Sequence, residues 1–392
     1  MGSPAIAPRT SLILVIAAVF LAIIAYAGLD ASAPERTMVL AFTLAACIAL
    51  ALTPLAMYVS HQVGLLDVPD ERKRHERPMP LLGGAVVVAA FVAAAAAAVA
   101  ALPGAALPAE LKSQLLATLA AGVLIAAIGV ADDKWGLTAG VRLVGQLAAV
   151  CLVMKCGVVM TFLPATALGR AGEVVLTVIW IVGITNALNF LDGLDGLASG
   201  VSAIAAISFG AIALMTGQAV VAAASFCLAG AAVGFLNYNF RPARIYLGDS
   251  GATFLGFTLA CIGIIGDWGT PDRAENLFVP VIVLAIPIYD TIYITIYRIR
   301  AGQVRTLAEW AAYVGRDHLH HRLQHLGMRP GRACLFIWLG GLALGVLAAI
   351  LKTKEGLDRC DKFLALLVAA IMCVGATILM ELGKNGKKPG GT

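Results

Sequence analysis

The chain has 392 residues, of which 60% are hydrophobic and only 13% are charged, and its formal net charge is +5. A soluble protein of this length has roughly a quarter charged residues, so this composition, with a mean hydropathy of +0.90, excludes a soluble globular class. Apolar runs long enough to cross a bilayer as helices recur along the chain. The sequence therefore predicts an all-α polytopic membrane protein, with the lipid bilayer as a partner and no nucleic-acid partner.

Twelve membrane spans are predicted, or eleven if some helices are broken or re-entrant. They cover residues 10–29, 38–60, 81–101, 113–131, 139–156, 174–188, 198–216, 219–236, 251–266, 277–298, 333–351 and 362–382.

Three regions are expected along the chain. The first span imitates a secretory signal, but its apolar stretch is long for one, so residues 1–36 are expected to form an extra transmembrane helix. A catalytic transmembrane core is expected at 37–332. A transmembrane hairpin with a basic cytoplasmic tail is expected at 333–392.

The basic residues predict the orientation of these spans. If residues 61–80 face the cytoplasm, that side holds 19 of the 28 Lys and Arg residues, and the positive-inside rule selects this arrangement. Five polar stretches then share the cytoplasmic face of the inner membrane. They are DVPDERKRHERPMPLLGG, ADDKWGL, NALNFLDGLDGLA, NYNFRPARIYLGDSGATF and GRDHLHHRLQHLG. We therefore expect a functional site on that face.

Carboxylates are concentrated in three of these stretches. Asp132 and Asp133 are adjacent, Asp192 and Asp195 are one helical turn apart, and Asp249 opens the ninth span. Clustered Asp oxygens with room for water suit Mg²⁺, which takes one or two carboxylates plus substrate phosphate. They do not suit zinc, which prefers Cys and His ligands. The eight cysteines contain no CxxC pair, and we interpret them as small buried hydrophobic residues. The pattern predicts a magnesium site.

Glycines beside these carboxylates indicate an anionic ligand. Gly193, Gly196 and Gly200, and separately Gly248 and Gly251, allow close backbone approach and leave N–H groups free at helix starts. Such helix N-termini bind phosphate readily. We therefore expect phosphate at both helix starts, although glycine in membrane helices also serves packing alone.

A cationic group lies in the longest predicted cytoplasmic loop, in which Arg316, His318, His320, His321 and Arg322 are close in sequence. Three interpretations are open: a zinc or nickel patch, a solvated basic loop without a role, or donors to phosphates opposite the acid cluster. The third completes a site for phosphoryl transfer, in which a metal neutralises a diphosphate and a carboxylate assists the nucleophile. The sequence contains no Walker A, GxSxG or HExxH pattern.

Asp290 is an acid within the tenth span, where an unpaired carboxylate is costly. Two interpretations are open, namely proximity to the functional site or a structural hydrogen bond to a neighbouring helix.

The five stretches resemble the motifs of the polyprenyl-phosphate N-acetylhexosamine-1-phosphate transferases, the superfamily that includes WecA, TagO and MraY. The resemblance extends from about residue 58 to 330, and the HxHH form in HLHHRL is similar to the WecA/TagO branch. It implies transfer of an N-acetylhexosamine-1-phosphate, with GlcNAc-1-phosphate expected, from a UDP-sugar to undecaprenyl phosphate. UMP leaves, Mg²⁺ or Mn²⁺ assists, and the product begins the membrane stage of cell-envelope polysaccharide synthesis. A homodimer is also expected.

The resemblance implies roles for individual residues. Asp249 is the best candidate magnesium ligand and Asp132 the second, and Asp132 and Asp133 would lie near the metal or deprotonate the lipid phosphate. The remaining matches are Asn186, Asn189, Asp192 and Asp195 to the nucleotide and diphosphate segment, Asn239 and Tyr246 to positions facing uridine, His318, His320, His321 and Arg322 to the diphosphate loop, and Arg142 to a basic position. The lysine of the MraY-type TPTMGG site has no clear counterpart in ERPMPLLGG, so sugar specificity is not implied.

The alternative class is an ion-coupled secondary transporter, which also has many helices and intramembrane acids. A transporter places its polar residues near the bilayer midplane on broken helices. Here they lie at the cytoplasmic ends of the predicted spans, and this position favours the enzyme.

Overall fold

The computed structural model describes residues 34–69, 77–101, 108–268, 276–306, 309, 315 and 317–353. Helices and one short hairpin form this part of the chain. In chain order they are α1 (Pro34–Val63), β1 (Leu66–Asp67), β2 (Met79–Pro80), α2 (Gly83–Ala101), α3 (Ala109–Trp135), α4 (Ala139–Lys155), α5 (Ala167–Leu191), α6 (Leu197–Met215), α7 (Ala219–Asn239), α8 (Gly248–Ile265), α9 (Phe278–Val283), α10 (Ala285–Arg300), α11 (Leu319–His325) and α12 (Pro330–Thr353).

The predicted all-α membrane class is confirmed, since eight helices in the described part of the chain are long and apolar enough to cross a membrane. A further helix, α4, coincides with the predicted span 139–156 and has 17 residues. The predicted spans 10–29 and 362–382 lie outside the described residues. The total of eleven or twelve helices and the three-region division therefore stay predictions.

The predicted span 277–298 is a broken helix, an alternative that the sequence left open. Helix α9 ends at Val283 and α10 begins at Ala285. Pro287 accounts for the break, because a proline ring clashes with the carbonyl group four residues earlier, which here belongs to Val283.

Helix α8 is the central helix of the bundle. Each of its residues from 250 to 263 is buried, and it packs against α2, α3, α5 and α6. A helix that is apolar on all sides belongs in such a position. Small residues allow the approach, because a Cβ atom on Gly129 of α3 would lie 2.3 Å from the Cα of Ser250.

Helices α1 and α7 form the other close pair of the bundle. On α7, Gly230 and Gly234 are four residues apart, and an added Cβ would lie 2.1 Å from the carbonyl oxygen of Phe42 and 2.4 Å from that of Ala46, respectively. Such small-residue spacing lets helix backbones pack directly in a membrane.

One end of the bundle gathers the polar connections. The hairpin pairs Leu66 with Pro80 and Asp67 with Met79. It is tied to the connection between α7 and α8, since the backbone N–H of Tyr246 donates to the Pro80 carbonyl at 2.9 Å. This end therefore brings together parts of the chain that are far apart in sequence.

Candidate active site

A cavity of about 610 Å³ lies where α3, α5 and α7 end and where α6 and α8 begin. All five polar stretches singled out in the sequence contribute to its lining. Representative side chains, one from each stretch, are Asp67, Asp133, Asp192, Asp249 and His321. The volume is within the range of about 300–1,000 Å³ typical of small-molecule sites. The prediction that the five stretches meet at one end of the protein is confirmed.

Asp132 and Asp133 are adjacent but have different partners, because successive residues on a helix point about 100° apart. Asp132 is buried and does not line the cavity. Its Oδ1 accepts a hydrogen bond from the Leu137 backbone N–H at 2.7 Å, and its Oδ2 accepts one from Arg142 Nη1 at 2.9 Å. These bonds stabilise the turn between α3 and α4, and the position of Asp132 near a metal stays a prediction.

Asp133 lines the cavity and also caps α8. Its carboxylate accepts hydrogen bonds from the backbone N–H groups of Asp249, at 2.9 Å, and Ser250, at 3.3 Å. Gly248 has φ +70°, and a Cβ there would lie 2.6 Å from Asp133 Oδ2, so a side chain is excluded at this position. The expectation of phosphate at this helix start is corrected, since a carboxylate of the protein already satisfies these donors.

Asp249 projects from the first turn of α8 into the cavity. Its Oδ2 lies 3.6 Å from Arg142 Nη1, the same nitrogen that pairs with Asp132. Arg142 thus holds two of the predicted metal ligands together. The predicted involvement of Arg142 in the site agrees with this geometry.

Asp192 and Asp195 lie in the turn between α5 and α6, and both line the cavity. Burial, and then the neighbouring carboxylates of Asp133 and Asp195, raise the pKa of Asp192 to about 7. Asp195 Oδ2 accepts a hydrogen bond from the Ala243 backbone N–H at 3.1 Å. Asp195 therefore also positions the loop that precedes α8.

The three predicted asparagines differ in position. Asn189 lines the cavity. Asn186 lies one helical turn deeper and exchanges hydrogen bonds with Gln146 of α4, and it does not line the cavity. Asn239 does line it, but its amide accepts a hydrogen bond from Ser199 Oγ at 2.9 Å and donates to the Ile245 carbonyl at 3.1 Å. Its side chain holds the loop before α8.

Tyr246 lines the cavity, as expected for a residue facing the nucleotide. Burial, and then the charges of Asp195, Asp67 and Asp192, raise the pKa of Tyr246 to about 12. The phenol is therefore neutral at physiological pH, and its ring is a surface on which a planar base can stack.

The histidine segment, residues 317–322, is held by α10. His318 Nδ1 is 2.7 Å from Asp290 Oδ2, and the Leu319 backbone N–H donates to Asp290 Oδ1 at 2.7 Å. Asp290 is 1% exposed. Both interpretations left open by the sequence thus apply in part, since Asp290 makes a buried hydrogen bond and its partner is a predicted site residue.

The arginines of this region are engaged within the protein. Arg298 forms a bidentate pair with Asp317, with both N–O distances at 2.7 Å. Burial alone would raise the pKa of Asp317, but the hydrogen bonds from Arg298 outweigh it and the net pKa is lowered. Arg322 donates to the Asp317 carbonyl and to the Tyr293 hydroxyl, and its guanidinium stacks on Tyr297. Arg322, predicted to grip a diphosphate, is therefore buried away from the cavity.

One of the three predicted histidines, His321, lines the cavity. His320 is buried and packs against the turn that follows α5, where a Cβ on Gly193 would lie 2.3 Å from His320 Nε2. The structure thus divides the role that was expected of these four residues. His318, His320 and Arg322 hold the segment in place, and His321 faces the cavity. Arg316 lies outside the described residues.

The carboxylates do not form a closed metal cage. Within the described ranges, no group of three or more His, Cys, Asp or Glu side chains is arranged to hold a metal ion. A zinc or nickel patch at the described histidines is thereby disfavoured.

Sequence reasoning missed Asp67 and Arg241, which line the cavity. Asp67 precedes the basic run DERKRHER and Arg241 lies in NFRPAR, and the residue pattern of neither stretch distinguishes them from their neighbours. The position of Arg241 two residues after Asn239 was the available signal. Arg298 and Tyr293 were missed because only the fold brings α10 to the histidine segment.

Comparison with known proteins gives consistent results. The profile of Glycosyl transferase family 4 matches residues 115–267. A probable undecaprenyl-phosphate N-acetylglucosaminyl 1-phosphate transferase of Bacillus subtilis is 31% identical over 353 residues, which cover 88% of this chain and 92% of the relative. A decaprenyl-phosphate N-acetylglucosaminephosphotransferase of Mycobacterium tuberculosis is 31% identical, covering 91% and 92%.

A third relative is the undecaprenyl-phosphate alpha-N-acetylglucosaminyl 1-phosphate transferase of Escherichia coli K12, which is 30% identical over 75% of this chain and 79% of its own. The profile match runs from residue 115 of α3 through α8, and so includes the carboxylates Asp133, Asp192 and Asp249 of the cavity. The chain is a phosphoglycosyl transferase and belongs to the family of polyprenyl-phosphate N-acetylglucosamine-1-phosphate transferases.

Proposed function

We propose that the protein transfers GlcNAc-1-phosphate from UDP-GlcNAc to undecaprenyl phosphate and releases UMP. The observation that carries this proposal is the meeting of carboxylates from distant segments with Tyr246 and His321 in one cavity. Acid side chains suit a cation-bound diphosphate, an aromatic ring suits a base, and an imidazole suits a phosphate oxygen. The names of the relatives support the sugar and the lipid.

The described donor set fits Mg²⁺. Asp192 and Asp249 face one cavity, and Mg²⁺ typically takes only one or two carboxylates, keeps several waters and binds substrate phosphates. A site with fewer than three clustered protein ligands is therefore suitable. Asp249, with Asp192, would hold the ion, which when bound neutralises charge on the diphosphate. Mn²⁺ would fit the same oxygens.

The remaining side chains orient the substrates. Tyr246 offers its neutral ring to uracil, and His321 offers a nitrogen to the diphosphate. An oxygen of the lipid phosphate forms a bond to the sugar-side phosphorus. The bond from that phosphorus to the bridging oxygen breaks, and the oxygen leaves with UMP. Holding both substrates in line provides much of the rate enhancement for such a transfer.

The lipid acceptor and the positive-inside pattern both support a site at the cytoplasmic face of the inner membrane. The bundle exposes large apolar side chains such as Leu168, Val144 and Ile179, which suits contact with lipid. We propose this location on those grounds, and the homodimer stays a prediction.

The test is an assay of UMP release by the purified full-length protein. UMP is expected from UDP-GlcNAc only when undecaprenyl phosphate and Mg²⁺ are both present. EDTA should abolish the release, and Mg²⁺ should restore it. Failure to release UMP from any UDP-N-acetylhexosamine under these conditions would contradict the proposal.

A further inference from the structure

The cavity has an unbalanced charge. Its described lining includes five carboxylates and two basic side chains, His321 and Arg241. A donor with a diphosphate brings further negative charge into this cavity, and unpaired like charges at close range are unfavourable. A cationic group of the protein that faces the cavity would therefore stabilise a bound diphosphate in addition to any divalent ion.

Three other described arginines near this end already have partners within the protein. Arg142 pairs with Asp132 at 2.9 Å and Arg298 with Asp317 at 2.7 Å. Arg322 donates to the Asp317 carbonyl and lies against two tyrosine rings. Among the described arginines, Arg241 is the one whose side chain lines the cavity, and it is exposed.

The loop that carries Arg241 is held on both sides. Before it, the ring of Phe240 packs against Trp338 of α12, with 5.4 Å between centroids. After it, the Ala243 backbone N–H donates to Asp195 and the Tyr246 backbone N–H donates to Pro80. A side chain on a fixed backbone loses less conformational entropy when it binds a ligand. The loop also carries Tyr246, so one segment presents a ring and a guanidinium to the same cavity.

We propose that Arg241 binds the diphosphate of the nucleotide-sugar donor and thereby sets the affinity for that substrate. The assignment rests on the proposed function for the identity of the donor. A guanidinium presents a planar fork of donors that matches phosphate oxygens in a bidentate manner. Arg241 is therefore a substrate-binding residue, which the sequence motifs alone did not single out.

The test compares Arg241→Gln with Arg244→Gln in the full-length protein. Arg244 is three residues further along the same loop, has its guanidinium 5.7 Å from the centroid of the Tyr238 ring, and is not part of the cavity lining. Loss of a charged hydrogen bond corresponds to an increase of about 10-fold to 100-fold in KM for UDP-GlcNAc. We expect this increase for Arg241→Gln, a smaller one for Arg241→Lys, and wild-type KM for Arg244→Gln.

Binding of uridine, UMP and UDP in the presence of Mg²⁺ separates a phosphate contact from a structural role. Arg241→Gln should weaken UDP binding and leave uridine binding unchanged. The ratio of the uridine Kd to the UDP Kd should therefore become smaller than in the wild type. Equal weakening of uridine and UDP overturns the assignment, and so does an unchanged KM for UDP-GlcNAc. An increase in KM for undecaprenyl phosphate instead of the donor would assign the guanidinium to the acceptor and also overturn it.

The binding measurements with uridine, UMP and UDP distinguish a failure of the Arg241 proposal from a failure of the proposed function. If the wild type releases no UMP, the transferase assignment fails, whereas Arg241 is still judged by the difference between UDP and uridine binding. A wild-type protein that binds UDP no more tightly than uridine overturns the role of Arg241 by itself.

Discussion

The acid-lined cavity and the histidine segment at residues 317–322 differ in where their charged groups find partners. Asp192 and Asp249 face the cavity, whereas His318 and Arg322 bond to buried groups of the protein. The carboxylates of the cavity can therefore contact a ligand. The charged side chains of the segment instead bond to other groups of the protein and hold the segment in position. Residues that share one sequence motif therefore contribute in different ways, either by direct contact or by positioning.

The largest effect is expected at the cavity. Asp249→Asn should lower turnover by at least about 100-fold, since it removes negative charge that holds the ion beside the diphosphate. UMP release measures this change, and the melting temperature in detergent should stay near that of the wild type. Asp267→Asn, an exposed position just past the opposite end of α8, is the matched control. Normal turnover in Asp249→Asn would remove Asp249 from the site.

A smaller effect is expected where a carboxylate acts through a histidine. Asp290→Asn removes the charged acceptor of His318 Nδ1 and of the Leu319 N–H, so the segment that carries His321 loses its alignment. We expect kcat to fall at least about tenfold, as for other carboxylates that orient histidines. Ile292→Ala, on the exposed side of the same helix, should retain kcat. Equal activity of the two variants would show that the Asp290–His318 contact does not position the segment.

The ion pair between Arg298 and Asp317 should affect the stability of the protein more than its turnover. Arg298 is 1% exposed, and Arg298→Met leaves Asp317 without its bidentate partner, which costs about 3 kcal/mol for a buried pair. Thermal unfolding in detergent measures the loss. Arg300→Met, two residues along and exposed, is the control. A melting temperature equal to that of the control would contradict a stabilising role for this pair.

The smallest effect concerns pH. The pKa of Asp192 is raised to about 7, above its unfolded value near 4, so the folded state binds more protons between these values and loses stability as pH rises through that window. Each pH unit is worth at most about 1.4 kcal/mol, and partial exposure of the side chain reduces this. With EDTA present, the melting temperature should be higher at pH 5 than at pH 8.

Asp192→Asn provides the comparison for the pH effect, since the amide carries no charge in either state. Its melting temperature in EDTA should fall less between pH 5 and pH 8 than that of the wild type. An identical decrease in both proteins would assign the pH dependence to other groups.

Much of the architecture was predictable because a bilayer imposes a strong constraint on sequence. Apolar length predicted the described spans, and the break in span 277–298 follows from Pro287. The meeting of five polar stretches was predictable from the alternation of spans across the membrane. The N-terminal and C-terminal spans lie outside the described residues and stay predictions.

The roles of single residues were less predictable. Asp133 and Asp249 are both acids at helix ends and both line the cavity, yet Asp133 also caps α8 whereas Asp249 is one of the residues that it caps. At the start of α8, where phosphate was expected, the Asp249 backbone N–H donates instead to a carboxylate of α3 that lies 116 residues earlier in the chain. A motif gives the type of side chain, but not which neighbour donates hydrogen bonds to it.

The sequence by itself determined the membrane class, the polar end of the bundle and the kind of chemistry, since these depend on hydropathy, charge and local motifs. The tertiary structure alone decided which charges face the cavity. Asp290 meets His318 and Arg298 meets Asp317 because α10 packs beside the segment that follows it. A buried charge needs a partner in space, and distance along the chain does not identify that partner.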